Sequence, residues 1–297
     1  MTNSHQPDVA HLTFSSSEGA DSMIRSLLVG LDGSAYAAPV LDLALRWAKR
    51  FDAELVGLGV VDEPGIQVSE AALFAEGYHR PVTTTLRDVR REVEDVLGNF
   101  ARRCEEAGVK HRAIEDVGTP YVEILREAER SDLILLGRET HFDFGWQRQP
   151  DETLGRVVQD SPRPVVVVPE SLAGGESVVV AYDGSLQAAR ALSAFEATGL
   201  GEGREVHVVT IDADRTAAAR IADRALAYLR LHAINATAHL ADASRTPART
   251  ILERVEALGA GLLVMGAYGQ SALREFFLGS VTREMLRRSP VPVFCTH

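Results

Sequence analysis

The chain has 297 residues, 45% of them hydrophobic and 25% charged, with a formal net charge of −11; this is globular composition and enough length for two domains. The acidic balance excludes a protein whose affinity comes from displacing counterions on nucleic acid, and no apolar run reaches the roughly 20 residues of a membrane span. Neither nucleic acid nor membrane is therefore expected as a partner.

In chain order, residues 1–23 are polar and lack a basic start followed by an apolar stretch. They read as a disordered tail rather than a secretory signal, which gives a cytoplasmic address. Residues 24–169 read as a first domain, with strands at Ser26 to Leu31, Glu54 to Val61, His111 to Glu115, Leu133 to Gly137 and Val165 to Val168. Between them Ala37 to Phe51 and Arg87 to Gly108 carry helical spacing, and Thr119 to Arg130 opens with proline just after a threonine cap. Glu170 to Gly175 has the turn residues of a linker. Residues 176–297 repeat the pattern, with strands at Ser177 to Ala181, Glu205 to Ile211, Ala236 to Leu240, Leu262 to Gly266 and Val291 to Cys295. Strands alternating with helices make an α/β fold, a five-stranded parallel sheet flanked by helices in each domain. Cys104 and Cys295 have no metal-ligand spacing and read as core residues in a reducing compartment.

The two domains are copies of one unit. Val29-Gly-Leu-Asp-Gly-Ser34 recurs as Val180-Ala-Tyr-Asp-Gly-Ser185, Thr119-Pro120 as Thr246-Pro247, and Asp132-Leu-Ile-Leu-Leu-Gly137 as Gly261-Leu-Leu-Val-Met-Gly266. Ser161-Pro-Arg-Pro-Val165 recurs as Ser289-Pro-Val-Pro-Val293. The copies start about 150 residues apart and end about 128 apart, so the first carries an insert, at residues 62–85.

Chemistry gathers after the fourth strand of the second copy, in Gly266-Ala-Tyr-Gly269, nine further residues and Gly279-Ser280. A doubly wound sheet binds ligands beyond the carboxyl ends of its strands. Gly266 and Gly269 let main-chain N–H groups approach an anion, and Gly279-Ser280 opens a helix, Val281 to Arg288, whose first N–H groups and dipole favour negative charge. Three or four charge-assisted hydrogen bonds at about 1.5–3 kcal/mol each suffice for a triphosphate. Asp183, at the end of the first strand, would lie on the same rim, suited to a ribose hydroxyl or to Mg²⁺ carried by the phosphates.

This spacing resembles the universal stress protein family, whose ATP-binding members carry Gly, two residues, Gly, nine residues, Gly and then Ser or Thr; Gly266, Gly269, Gly279 and Ser280 match throughout. The strand starts, the Thr-Pro helix entries and the Ser-Pro-x-Pro endings are similar too, twice over. The resemblance implies two tandem Rossmann-like domains of the adenine nucleotide alpha hydrolase-like kind. It also implies ATP as ligand, with Asp183 facing sugar and phosphates and the main chain of Thr210 meeting adenine. Met265 and Tyr268 would flank base and phosphates, and Gly279, Ser280 and Val281 would supply the helix entry. Position 270, often basic in the family, is Gln270 here, leaving Arg274 as the nearest cation in the loop. In this family the last strands pair across a two-fold axis, so Val165 to Val168 and Val291 to Cys295 are expected to pair within the chain as an intrachain pseudo-dimer, with a homodimer as a further assembly.

In the first copy Asp151-Glu152 stand where Gly279-Ser280 stand in the second. Two carboxylates against phosphates, each costing about 4 kcal/mol at 4 Å, predict a degenerate site. No enzyme motif is present, and catalytic residues are not assigned; His207 and His239 read as structural strand residues. Three functions stay open: a nucleotide-dependent regulator read by an unknown protein partner, a slow Mg-dependent ATPase or autophosphorylating protein, and a nucleotide-independent scaffold.

Overall fold

The computed structural model describes residues 24–67, 82–142, 144, 152–172, 174–267 and 279–297, the side chains of 82–85 excepted. The tail 1–23, much of the insert, Asp151, and the loop residues Tyr268, Gly269, Gln270 and Arg274 fall outside that set.

Strands β1 (Ser26–Gly30), β2 (Glu54–Val61), β4 (Leu133–Gly137) and β5 (Val165–Val168) are almost wholly buried apolar runs, as strands covered by helices on both faces must be. The half-exposed β3 (His111–Val117) closes the outer edge and carries His, Arg, Glu and Asp among three apolar residues. These five strands pair in parallel in the order β3-β2-β1-β4-β5. The second copy, β6 (Ser177–Ala181), β7 (Val206–Ile211), β8 (Ala236–Ala241), β9 (Ala260–Gly266) and β10 (Val293–Thr296), repeats the order as β8-β7-β6-β9-β10.

The two sheets are one. β10 pairs antiparallel with β5, in the register Val293 to Val167, Phe294 to Val166 and Cys295 to Val165. An uninterrupted ten-stranded sheet results, and the predicted intrachain pairing of these edges is what the structure contains. Unpaired, two apolar strands such as VVVV and VFCT would each be a template for aggregation. Arg138, just beyond β4, donates to the Ser289 carbonyl across the seam.

Helices α1 (Ala37–Phe51), α2 (63–67), α3 (Val82–Ala107), α4 (Pro120–Ala128) and α5 (Thr153–Asp160) flank the first half. The second half has α6 (Leu186–Ala197), α7 (Arg215–Leu231), α8 (Pro247–Ala257) and α9 (Ser280–Arg288). One core, under α1, α3, α6 and α7, contains Leu27, Phe100, Val166, Phe195 and Phe294. The other, under α4, α5, α8 and α9, contains Ile124, Val157, Val165, Met285 and Val293. Each core draws residues from both copies, so burial of apolar surface holds the halves together as it holds each half. Within the first core Phe195 and Phe294 meet edge to face at 6.2 Å.

Some boundaries differ from the sequence expectation. β10 begins at Val293 instead of Val291, because Pro292 has no N–H to give a ladder; its carbonyl still accepts from Leu263. Thr119 and Thr246 occupy the N-cap positions of α4 and α8, yet neither makes a side-chain cap bond. Proline at the first helical position already removes one of the orphan donors.

Candidate functional site

Of the predicted residues, Asp183, Thr210, Met265 and Gly266 lie at the carboxyl ends of β6, β7 and β9, which are side by side. Ala181 is in register with both Met265 and Val209, and the N–H of Tyr182 donates to the Val209 carbonyl at 2.9 Å. This carries the β6 backbone one step further, to Asp183. There the chain turns: the Asp183 carboxylate accepts from the Ser185 N–H at 2.9 Å through Oδ1, and the Ser185 hydroxyl caps α6 by accepting from the Ala188 N–H at 3.1 Å. Asp183 itself is exposed.

Thr210 is fully buried, and its hydroxyl donates to the Tyr182 carbonyl at 3.0 Å. Its side chain clamps β7 to β6. Met265 is 5% exposed and packs in the core below the site with Val209 and Met285. Beside Thr210, a cleft of about 410 Å³ opens between the ends of β7 and β8 and the side of α8, lined by Asp212, Arg215, Leu240, Asp242, Thr250 and Arg254.

Gly266 ends β9, and the structure gives it a role beyond approach to an anion. A Cβ there would lie 2.5 Å from the Gln187 carbonyl carbon and 2.6 Å from the Ala188 nitrogen, so the glycine lets the first turn of α6 sit on the strand. Gly137 does the same in the first copy, where a Cβ would lie 2.5 Å from the Tyr36 Cβ.

Gly279 is the N-cap of α9, at φ −53 and ψ 146, and accepts the Arg283 N–H at 2.9 Å. The cap supplies no side-chain acceptor, and Ser280 is exposed while Val281 is half-buried against the core. By contrast α6 and α7 are capped by Ser185 and by Asp214, which accepts from the Thr216 N–H at 2.8 Å. The N-cap of α9 therefore lacks the side-chain acceptor that α6 and α7 possess, as does that of α8. Tyr268 and Gly269 lie outside the described residues.

One residue escaped sequence reasoning. Arg224, on α7, reaches the rim: its Nη2 would meet a Cβ on Gly184 at 2.9 Å. Burial pushes the Tyr182 hydroxyl up, with Arg224 opposing and Asp183 adding to the shift, so cation and carboxylate share one strand end. In the sequence Arg224 is one arginine among several on α7, with no motif to single it out.

The first copy is built differently at the same place. Asp32, the counterpart of Asp183, is 5% exposed and has both oxygens engaged, Oδ1 by the Ser34 N–H at 3.1 Å and Oδ2 by the His141 N–H at 2.8 Å. Burial still holds its carboxyl above the usual range, partly offset by those donors. Thr140 is buried and donates to the Gly137 carbonyl at 2.8 Å. Phe142 is buried with its ring 3.4 Å from where a Cβ on Gly30 would be, and Phe144 lies 3.3 Å from the equivalent point on Gly33. The chain after β4 thus folds onto the ends of β1 and β4. Glu152, the N-cap residue of α5, makes no side-chain cap bond; its carboxylate pairs with Arg156 at 3.1 Å. His207 and His239 are not lone residues either, since their ring nitrogens meet at 3.2 Å, and burial, His207 and Arg254 lower the His239 pKa.

Among the described residues no cluster of three or more His, Cys, Asp or Glu side chains could hold a metal ion, and no helix is long and apolar enough to cross a membrane. The family model for the universal stress protein family matches residues 23–169 and again 176–297. Universal stress protein Slr1230 of Synechocystis is 26% identical over 206 residues, 67% of this chain and 69% of that protein. Universal stress protein YxiE of Bacillus subtilis is 30% identical over 114 residues, 38% of this chain and 77% of its own length. A solved universal stress protein from Archaeoglobus fulgidus superposes with a TM-score of 0.67 at 27% identity, covering 93% of this chain and 98% of that one.

Proposed function

The chain belongs to the universal stress protein family, and from that premise we propose that its C-terminal copy binds ATP, with Mg²⁺, while its N-terminal copy binds none. The observation that carries the reading is the open N-terminus of α9. It is entered at Gly279 with no side-chain cap, in the half of the chain whose rim carboxylate, Asp183, is exposed. Adjacent strands are about 4.8 Å apart, so the row β9-β6-β7-β8 offers an extended ligand successive partners. The phosphates fall to Gly266, Tyr268, Gly269, Gly279, Ser280 and Val281, and the sugar falls to Asp183. The base falls to the main chain of Thr210 and the cleft beyond it, with Met265 as the floor.

Bound Mg²⁺ would neutralise phosphate charge, and Asp183 is the residue placed to share it. Arg224 supplies a cation at the same strand end, in the role that Gln270 cannot fill. Nucleotide occupancy then biases the conformation of a tandem, with residues 24–169 and 176–297 as its domains and 170–175 as linker, and a protein partner reads the state as part of a stress response. Nothing in this arrangement calls for turnover.

Titration calorimetry of the full chain with Mg-ATP tests the reading. One site per chain, weakened by Gly279→Asp, is the expected outcome; no heat, or heat unchanged by that substitution, refutes it. Steady phosphate release from the complex would replace the regulator by a slow ATPase.

A further inference from the structure

At the opposite end of the strands from Asp183, the two copies and their linker enclose a second cleft of about 320 Å³. α1 contributes Arg46, Trp47 and Arg50, the linker contributes Gly174, Gly175 and Glu176, and the second copy contributes Arg204. Three guanidinium groups thus line one small space with a single carboxylate, in a protein that carries 42 acidic against 31 basic residues. Local charge opposite in sign to the whole molecule calls for its own explanation.

Two of the arginines have structural duties. Arg50 donates through Nη2 to the carbonyls of Gly199 at 3.0 Å and Glu202 at 2.9 Å, binding the first copy to a loop of the second. Arg204 donates to the Glu176 carbonyl at 2.6 Å and the Ser177 carbonyl at 3.2 Å. These bonds neutralise no charge, because carbonyls are dipoles. Arg46 has neither duty, and among the described residues no carboxylate or carbonyl oxygen pairs with it. The three charges also act on one another: burial lowers the Arg204 pKa, Arg50 and Arg46 lower it further, and Glu176 alone opposes them.

We propose that this cleft is a binding site for a small multivalent oxyanion of the phosphate class, held by Arg46, Arg50 and Arg204 across the seam between the two copies. Guanidinium groups match phosphate oxygens in geometry as well as charge. A dianion in the cleft would offset the like-charge repulsion that the protein leaves uncompensated. Because its donors come from both copies, an occupant would tie the halves together at the end where β6 begins, remote from the ATP rim. The proposal does not depend on nucleotide binding.

Trp47 lines the cleft and reports on it, since the chain has two tryptophans and Trp146→Phe leaves this one. The full chain carrying that change is titrated with sodium phosphate and with pyrophosphate at constant ionic strength, following emission, and thermal midpoints of the unaltered chain are recorded beside it. Saturable change with both probes, tighter for pyrophosphate, and a rise in midpoint are expected. Arg46→Gln should weaken both about tenfold or more, the equivalent of one charge-assisted hydrogen bond, with Arg46→Lys intermediate and the Mg-ATP heat unchanged. Arg46 is chosen because it holds no part of the fold. A response that is linear in anion, or saturation and midpoint shifts that Arg46→Gln leaves intact, would overturn the proposal.

Discussion

Oδ2 of Asp32 accepts the main-chain N–H of His141 at 2.8 Å, 109 residues further along the chain, and among the described residues the same atom of Asp183 has no such partner. One carboxylate is thus engaged by the protein while its twin is exposed. This asymmetry predicts a stoichiometry of one Mg-ATP per chain. Gly279→Asp should weaken it by more than about 100-fold, because a like charge at 4 Å costs about 4 kcal/mol at an effective dielectric of 20. Calorimetry reads both numbers, and two sites per chain would show that the first copy opens.

Phe142 is 1% exposed and sits where the chain crosses the end of β1. Phe142→Ala should cost about 3–5 kcal/mol, the loss of a buried ring plus the cavity left behind. A fall in the urea midpoint is expected, with Mg-ATP affinity unaltered because the second rim is untouched. A neutral midpoint would mean that this segment is not packed as described.

Gly266→Ala should destabilise by roughly 1–3 kcal/mol, the usual cost of overpacking, since the new methyl meets α6 backbone at 2.5 Å. Gly137→Ala should cost a similar amount, because its methyl meets the Tyr36 Cβ at 2.5 Å, an atom fixed to the backbone that leads into α1. Thermal midpoints of the two variants read both costs. A Gly266→Ala midpoint equal to that of the unaltered chain would argue against the close approach of α6 to β9.

Burial pushes the Cys295 thiol up to about 12 and the Cys104 thiol up to about 11, against about 8.5 in an unfolded chain. A raised folded-state pKa means stability that is whole below the unfolded value and is lost as pH climbs towards the folded one. Each thiol should contribute a slope of about 1.36 kcal/mol per pH unit in that window. Urea midpoints measured from about pH 8 to 10.5 should fall, and Cys104→Ala with Cys295→Ala should flatten the decline. Identical slopes in the two proteins would contradict the burial of these thiols.

The β2, β4, β5 and β6 boundaries follow from sequence because each is an apolar run ended by turn residues, and burial on both faces leaves little else such a run can be. The joining of β5 to β10 is visible as two apolar strands that would otherwise be bare. Closure of the first copy has no such signal. Asp32 and His141 are far apart in sequence, and Phe142 and Phe144, set among polar residues, look like ordinary loop. Asp151 and Glu152 suggest a lost site through charge, whereas the described residues show chain packed over that rim and put Glu152 in a helix ion pair. Two aromatic residues two positions apart beyond a buried strand were the available clue.

The antiparallel ladder between β5 and β10 frees the molecule from a rule that binds symmetric dimers. When two identical subunits meet across an axis, every substitution appears twice, and neither site can be surrendered without losing both. Peptide continuity abolishes that duplication here, so the two halves can diverge residue by residue, as Asp32 and Asp183 already have.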